Sequence, residues 1–289
     1  MVFPPPTIQG LSGDRLHLSQ GPIDVVLKAE GEREAVQCAY AAGVDRFSTI
    51  LAELCAELPV LRRAHGTGPR PQSPVGRRMA AACDPFADVF LTPMAAVAGA
   101  VADEVLEVMR AAAPLTRAYV NDGGDIALFC APGESVRLGI AGDFSRSGIP
   151  SINGALDLRH EYGIGGVATS GARGRSLSLG IADSVTVLAA DAATADVAAT
   201  LIANAVDLDH AEIERRPAVE LDPDSDLGTR LVTVHVPPLD RHLVKRALEC
   251  GVERAHELER RGLILAAAMM LQGEVASLGP LPALRQMAS

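Results

Sequence analysis

Apolar residues recur along this chain with two different periods. The run Pro22-Ile23-Asp24-Val25-Val26-Leu27-Lys28-Ala29 reads as a strand, closed by polar residues at Glu30 to Glu32. Between Glu34 and Leu61 the apolar positions shift to helical spacing: Val36, Ala39, Tyr40 and Val44, then Ile50, Leu51, Leu54 and Leu58. Gly43 interrupts that pattern and Pro59 ends it, so two helices or one kinked helix are expected. His65 to Arg78, HGTGPRPQSPVGRR, is rich in Gly, Pro and Arg and is expected to be a long mobile loop. Pro93 to Ala112 is an Ala-rich helical stretch whose small side chains allow close packing. Arg117 to Val120 and Ile126 to Cys130 read as strands on either side of the turn Asn121-Asp122-Gly123-Gly124-Asp125. Further strands are expected at Val136 to Ala141, Gly166 to Thr169, Ser184 to Ala189 and Arg230 to Val236. Helices are expected at about Ala192 to Ala205 and Leu239 to Leu258. No internal repeat is evident.

With 289 residues and 48% hydrophobic content, the chain can bury a sizeable core without staples. The net charge of −10 works against general attraction to nucleic acid or an anionic membrane. Aromatic residues are only 3%, with no Trp, which leaves little material for stacking on bases. Cys38, Cys55, Cys83, Cys130 and Cys250 form no Cys-x-x-Cys pair, which argues against a disulfide framework or zinc site and for a reducing compartment. The N-terminal Met1 to Pro6 lacks the charged and apolar regions of a secretory signal. The longest apolar stretch, Gly262 to Leu271, is too short to span a bilayer. A cytoplasmic enzyme or small-ligand binder is the expectation.

Three segments could carry chemistry. In the turn, paired glycines permit positive φ and close approach of a ligand, and Asp122 and Asp125 offer acceptor oxygens; a hairpin with solvated acids has the same sequence. Asp196 and Thr200 are four residues apart in an otherwise apolar helix and share a face. They offer two hard oxygens suited to Mg²⁺, or an Asp favoured by the helix dipole beside a Thr bonded to the preceding turn. Gly163 to Gly180, GIGGVATSGARGRSLSLG, could hold a diphosphate or carboxylate on its backbone N–H groups, hydroxyls and Arg173 or Arg175; a flexible surface loop reads alike. The seven histidines are scattered, and no Ser-His-Asp set or Gly-x-Ser-x-Gly elbow is found.

Taken in order, four motifs resemble the ApbE superfamily, whose characterised members are FAD:protein FMN transferases. They are MAAVAGAVADEV at Met94 to Val105, VNDGGDIALF at Val120 to Phe129, GGVATSGARGRSLSLGIADSVTV at Gly165 to Val187 and ATADVAATLIANAV at Ala193 to Val206. The likeness is greatest to the superfamily's branch of small cytoplasmic proteins without an assigned function. The resemblance implies an α+β fold, ApbE-like and T-fold-related, with mixed sheets flanked by helices, as a single domain over 1–289. It implies a flavin nucleotide such as FAD beside Mg²⁺, the metal held by Asp196, Thr200 and the Ala95 carbonyl. Asn121, Gly123 and Gly124, with Thr169, Ser170, Gly171 and Arg173, would bind the cofactor. Asp125, Arg175 and Ser176 would serve catalysis.

The sequence also departs from the transferases. Ala98 stands where they carry a Lys, and Gly174 to Gly180 replaces their His-x-x-Asp-Pro-x-Thr-Gly stretch. Branch relatives place a His where Arg175 stands. Three functions follow as expectations. One is Mg²⁺-dependent transfer from a flavin diphosphate to a hydroxyl of an acceptor flavoprotein. The second is a metal-independent enzyme such as a hydrolase of a small carboxylate or cyclic amide, with Arg175 as clamp and Ser170, Ser176 or Ser178 as hydroxyl. The third is a non-catalytic flavin-binding module. The Ala-rich core makes a homodimer an expectation as well.

Overall fold

The computed structural model describes residues 3–143, 151–172, 174 and 176–279, with backbone alone at 140–143 and 151–155. It is an α+β protein in which antiparallel strands form a large sheet flanked by helices. The chain divides into two compact units. The first comprises residues 1–136, 159–168 and 189–197; the second comprises 137–158, 169–188 and 198–289.

In the first unit the strand order is β1 (Thr7–Leu11), β2 (Arg15–Gln20), β3 (Ile23–Glu30), β4 (Arg117–Asp122), β5 (Asp125–Cys130) and the start of β8 (Gly166–Ser170). β3 alternates buried Ile23, Val25, Leu27 and Ala29 with more open neighbours, the period of a strand with one face covered. β4 and β5 pair in register from Arg117 opposite Cys130 to Asp122 opposite Asp125. The helices are α1 (Arg33–Leu61), α2 (Pro74–Cys83) and α3 (Val97–Ala112), the last preceded by a 3₁₀ turn at Pro93–Ala96.

Gly43 does not break α1. It packs against α3, where a Cβ would lie 3.0 Å from Met109 Cγ, so glycine here serves close helix approach within one continuous helix. Pro59 sits in the last turn, where losing one backbone bond does not stop the helix before Leu61. The expected loop over 65–78 ends at Ser73. Pro74 to Arg78 are helical, because Pro74 occupies the first turn and the Ser73 hydroxyl accepts from Gly76 N–H at 3.1 Å. The loop itself is tied down: Glu57 accepts from Ser73 N–H and hydroxyl, and His65 lies 2.9 Å from Asp84.

In the second unit the order is the end of β8, then β9 (Ser184–Ala189), β12 (Ala266–Leu271) and β13 (Glu274–Leu278), with α6 (Arg241–Arg260) packed on β12 and β13. β6 (Ser135–Asp143) pairs with β7 (Ser151–Arg159), and β10 (Glu214–Pro217), which leads into the short α5 (Ala218–Leu221), pairs with β11 (Leu231–His235). The apolar tract Gly262 to Leu271 thus supplies a central strand, β12, antiparallel to both β9 and β13. Helix α4 (Ala192–Ala205) contributes its beginning to the first unit and its end to the second.

Candidate functional site

The first unit gathers three segments: the start of α3, the β4–β5 turn and the start of α4. Gly99 makes the first approach feasible, since a Cβ there would lie 2.3 Å from the Ala192 carbonyl oxygen. With the backbones this close, Gly99 N–H donates to Asp196 Oδ2 at 3.1 Å, and Ala98 N–H also serves that carboxylate. The start of α4 is held by two further acids. Asp103 accepts from Ala192 N–H at 3.0 Å and Ala193 N–H at 2.9 Å, and Asp191 accepts from Thr194 N–H at 2.7 Å and its hydroxyl at 3.0 Å. Those N–H groups are the ones a helix start leaves unpaired, so the carboxylates fix where Asp196 begins its turn.

Across the sheet, Asp122 and Asp125 are opposed in register and share one face. Gly123 (φ 64°) and Gly124 (φ 119°) form the two-residue turn between them, with the Asn121 amide oxygen accepting from Gly124 N–H at 2.8 Å. A Cβ on Gly124 would meet nothing within 4 Å, so the turn's outer side has room for a ligand.

The electrostatics converge on Asp196. Burial raises its carboxyl well above the ordinary range; the charges of Asp125 and then Asp122 raise it further, against the opposing bonds from Gly99 and Ala98. The residue keeps a partial opening to solvent. The three carboxylates therefore act on one another, and Asp196 is the one most disfavoured as an anion. Cys83 lies in the same neighbourhood. Burial pushes its thiol up to about 12, with the charges of Asp196 and Asp84 adding to the effect, and its Sγ–H donates to the Thr92 carbonyl at 3.6 Å. It is a packing group, not a nucleophile.

Sign decides what Asp196→Asn should do. A carboxyl whose folded value is raised makes folding less favourable as pH rises from the ordinary carboxylate value through the folded one. The metal-free Asp196→Asn protein should therefore melt at a higher temperature than the wild type at neutral pH, and the gap should close in acid. A lower melting temperature at neutral pH would contradict the repulsion described here.

The other expected site residues divide between the units. Ala95 is half-buried in the 3₁₀ turn, its N–H donating to Thr92 O at 3.1 Å. Thr200 lies one turn beyond Asp196 on the same helix, in the part belonging to the second unit. In that unit Thr169 Oγ1 is 3.0 Å from Thr186 Oγ1, Ser170 ends β8, and Ser176 is exposed. Arg173 and Arg175 lie outside the described residues.

Four of the six glycines in the Gly163 to Gly180 segment are required by close packing. A Cβ on Gly165 or Gly166 would run into the backbone of Ala190 or Asp191, one on Gly171 into Asp183, and one on Gly180 into Ala203. Close packing of strands and helix thus accounts for glycines that also suit an anion loop. Sequence reasoning missed Asp103 and Cys83. The signal for Asp103 was an acid among small apolar residues of a buried helix, which calls for a backbone partner.

Among the described residues, no group of three or more His, Cys, Asp or Glu is arranged to hold a metal ion, and no helix is long and apolar enough to cross a membrane. The model of the AbpE bacteria family matches residues 8–277. A UPF0280 protein of Methanopyrus kandleri is 31% identical over 207 residues, which is 70% of this chain and 78% of that protein. The chain belongs to the AbpE bacteria family. A UPF0280 protein of Methanothrix thermoacetophila is 38% identical over 180 residues, covering 60% of this chain and 71% of its own. The AbpE bacteria chain is also similar to two solved structures. They are the ApbE protein of Thermotoga maritima (TM-score 0.40, 16% identity, 86% of this chain and 76% of that one) and the flavinyl transferase ApbE of Pseudomonas stutzeri (TM-score 0.39, 13% identity, 96% and 97%). At that distance no residue role is carried from them to this AbpE bacteria chain.

Proposed function

We propose that this protein is an enzyme that binds a flavin nucleotide with Mg²⁺ and transfers a flavin phosphate group, in the manner implied by its resemblance to the ApbE transferases. The observation that carries the reading is Asp196: a carboxylate partly open to solvent, raised by burial and by Asp125 and Asp122. Hard oxygens are the donors Mg²⁺ selects, and Mg²⁺ keeps several waters and substrate phosphates in its shell. One protein carboxylate with a backbone carbonyl therefore suffices. Asp196 and the Ala95 carbonyl would hold the ion. When bound, it supplies charge neutralisation for a diphosphate and its leaving group.

The chain's own residues do the rest. Gly123 and Gly124 let a nucleotide approach the backbone, and the Asn121 amide holds the turn in shape. Asp125, beside them, would accept a hydrogen bond from the ligand or from the acceptor hydroxyl. Gly99 and Ala98 N–H groups hold the Asp196 carboxylate in place before any ion arrives.

Calorimetric titration of FAD with and without Mg²⁺ tests the reading. Binding should require Mg²⁺ and weaken about a hundredfold or more in Asp196→Ala. FAD binding that ignores both the metal and the substitution, or no binding at all, would overturn it.

A further inference from the structure

The first unit contains a cavity of about 620 Å³ beside the C-terminal half of α3, which the proposed nucleotide site does not use. Its volume is in the range of small-molecule sites. Leu106, Leu115 and Leu128 supply apolar wall, and Arg78 and Arg110 supply two guanidinium groups. Arg78 is engaged: it pairs with Glu107 and stands 3.6 Å from Glu104. Arg110 is held differently, its guanidinium carbon 3.9 Å above the ring centre of Phe129, another wall residue. Among the described residues it forms no ion pair.

We propose that this cavity binds a small organic monocarboxylate with an apolar or aromatic body, anchored by Arg110. A guanidinium placed over an aromatic ring spends no N–H group on that contact, and its fork of N–H donors matches a carboxylate. Because stacking already restricts the side chain, little further rotamer freedom is lost when the ligand arrives. The leucines then cover the hydrocarbon part of the ligand.

Charge on the same wall selects against other anions. Asp103, Glu107 and Asp191 also line the cavity. The first and last are turned to the N–H groups of α4 and Glu107 to Arg78, so none is paired with Arg110. One uncommitted cation suits one negative charge. A phosphate dianion would meet three carboxylates, and repulsion would exceed what Arg110 returns.

Titration calorimetry of the full chain with benzoate and with hexanoate tests this. At least one should give saturable binding at millimolar concentrations. Arg110→Gln should weaken it about tenfold or more while the protein stays folded, its melting temperature lowered only by the loss of the contact with Phe129, and Arg110→Lys, which keeps charge without the fork, should fall between. Benzamide, the uncharged counterpart of benzoate, should bind about tenfold more weakly, and inorganic phosphate should not compete. No saturable binding of either acid, equal affinity in Arg110→Gln, or displacement by phosphate would overturn the proposal. FAD titration of Arg110→Gln keeps the two sites apart, since its FAD binding should match the wild type.

Discussion

Replacing Gly99 with alanine should destabilise the protein by about 3 kcal/mol or more, near the upper end of what overpacking a core usually does. The added Cβ would stand 2.3 Å from the Ala192 oxygen, 2.5 Å from its carbonyl carbon and 2.8 Å from Ala193 Cα. All three are backbone atoms, so no rotamer change can relieve the clash. Either the start of α3 or the start of α4 must move, and α4 is held by the Asp103 and Asp191 carboxylates. The bond from Gly99 N–H to Asp196 would be lost in either case. Urea unfolding of Gly99→Ala beside Gly10→Ala measures the effect. Gly10 has open space around it, and its variant should stay within about 0.5 kcal/mol of the wild type. A loss below about 1 kcal/mol in Gly99→Ala would mean that the two helix starts can separate freely.

The second large effect is a dependence on pH. Burial is the main cause that raises the Asp103 carboxyl from 3.8 to about 6; the bonds from Ala193 and Ala192 N–H oppose it, and Asp191 adds to it. Below 3.8 the group is protonated in both folded and unfolded chains. Between 3.8 and about 6 the folded chain holds the proton more tightly, so stability falls as pH rises through that window and stays lower above it. A shift of that size corresponds to roughly 3 kcal/mol. Other acids slope the opposite way: Glu30, Glu53 and Glu57 all have lowered values, so their contribution grows with pH. Comparison with Asp103→Asn isolates the single group. Across the window, the variant's stability should rise relative to the wild type by roughly 3 kcal/mol. A constant offset between the two unfolding curves would place the Asp103 carboxyl at an ordinary value.

Periodicity made much of the fold legible. β9 and α4 match their expected spans, because Ser184 to Ala189 is strongly β-forming and Ala192 to Ala205 carries an uninterrupted apolar helical pattern. The β4–β5 hairpin was readable from two glycines between two strand-like runs. β12 was not, since Ala-Ala-Ala-Met-Met-Leu has no alternation and its residues are as much at home in a helix. β1 was missed for a related reason: it is largely exposed, so no buried face imprints a period of two on its sequence.

The candidate site was legible only as residue types. Asp125 and Asp196 were singled out, and the structure brings their charges together. Asp122 was legible beside Asp125 in the same turn; that this turn would meet Asp196, and that Asp103 would cap α4, depend on tertiary packing, and neither leaves a local mark. Glycine shows the same limit. Gly165 and Gly166 serve close backbone approach, whereas Gly123 and Gly124 serve positive φ, and composition does not separate these needs.

The division into two compact units has a spectroscopic consequence. The chain has no Trp, and its three tyrosines, Tyr40, Tyr119 and Tyr162, all belong to the first unit. Tyrosine emission therefore follows the unit that carries Asp196, while far-ultraviolet circular dichroism sums the helices and strands of both. Coincident transitions by the two probes mark a chain that melts as one cooperative body, and separated transitions resolve the melting of each unit without a label.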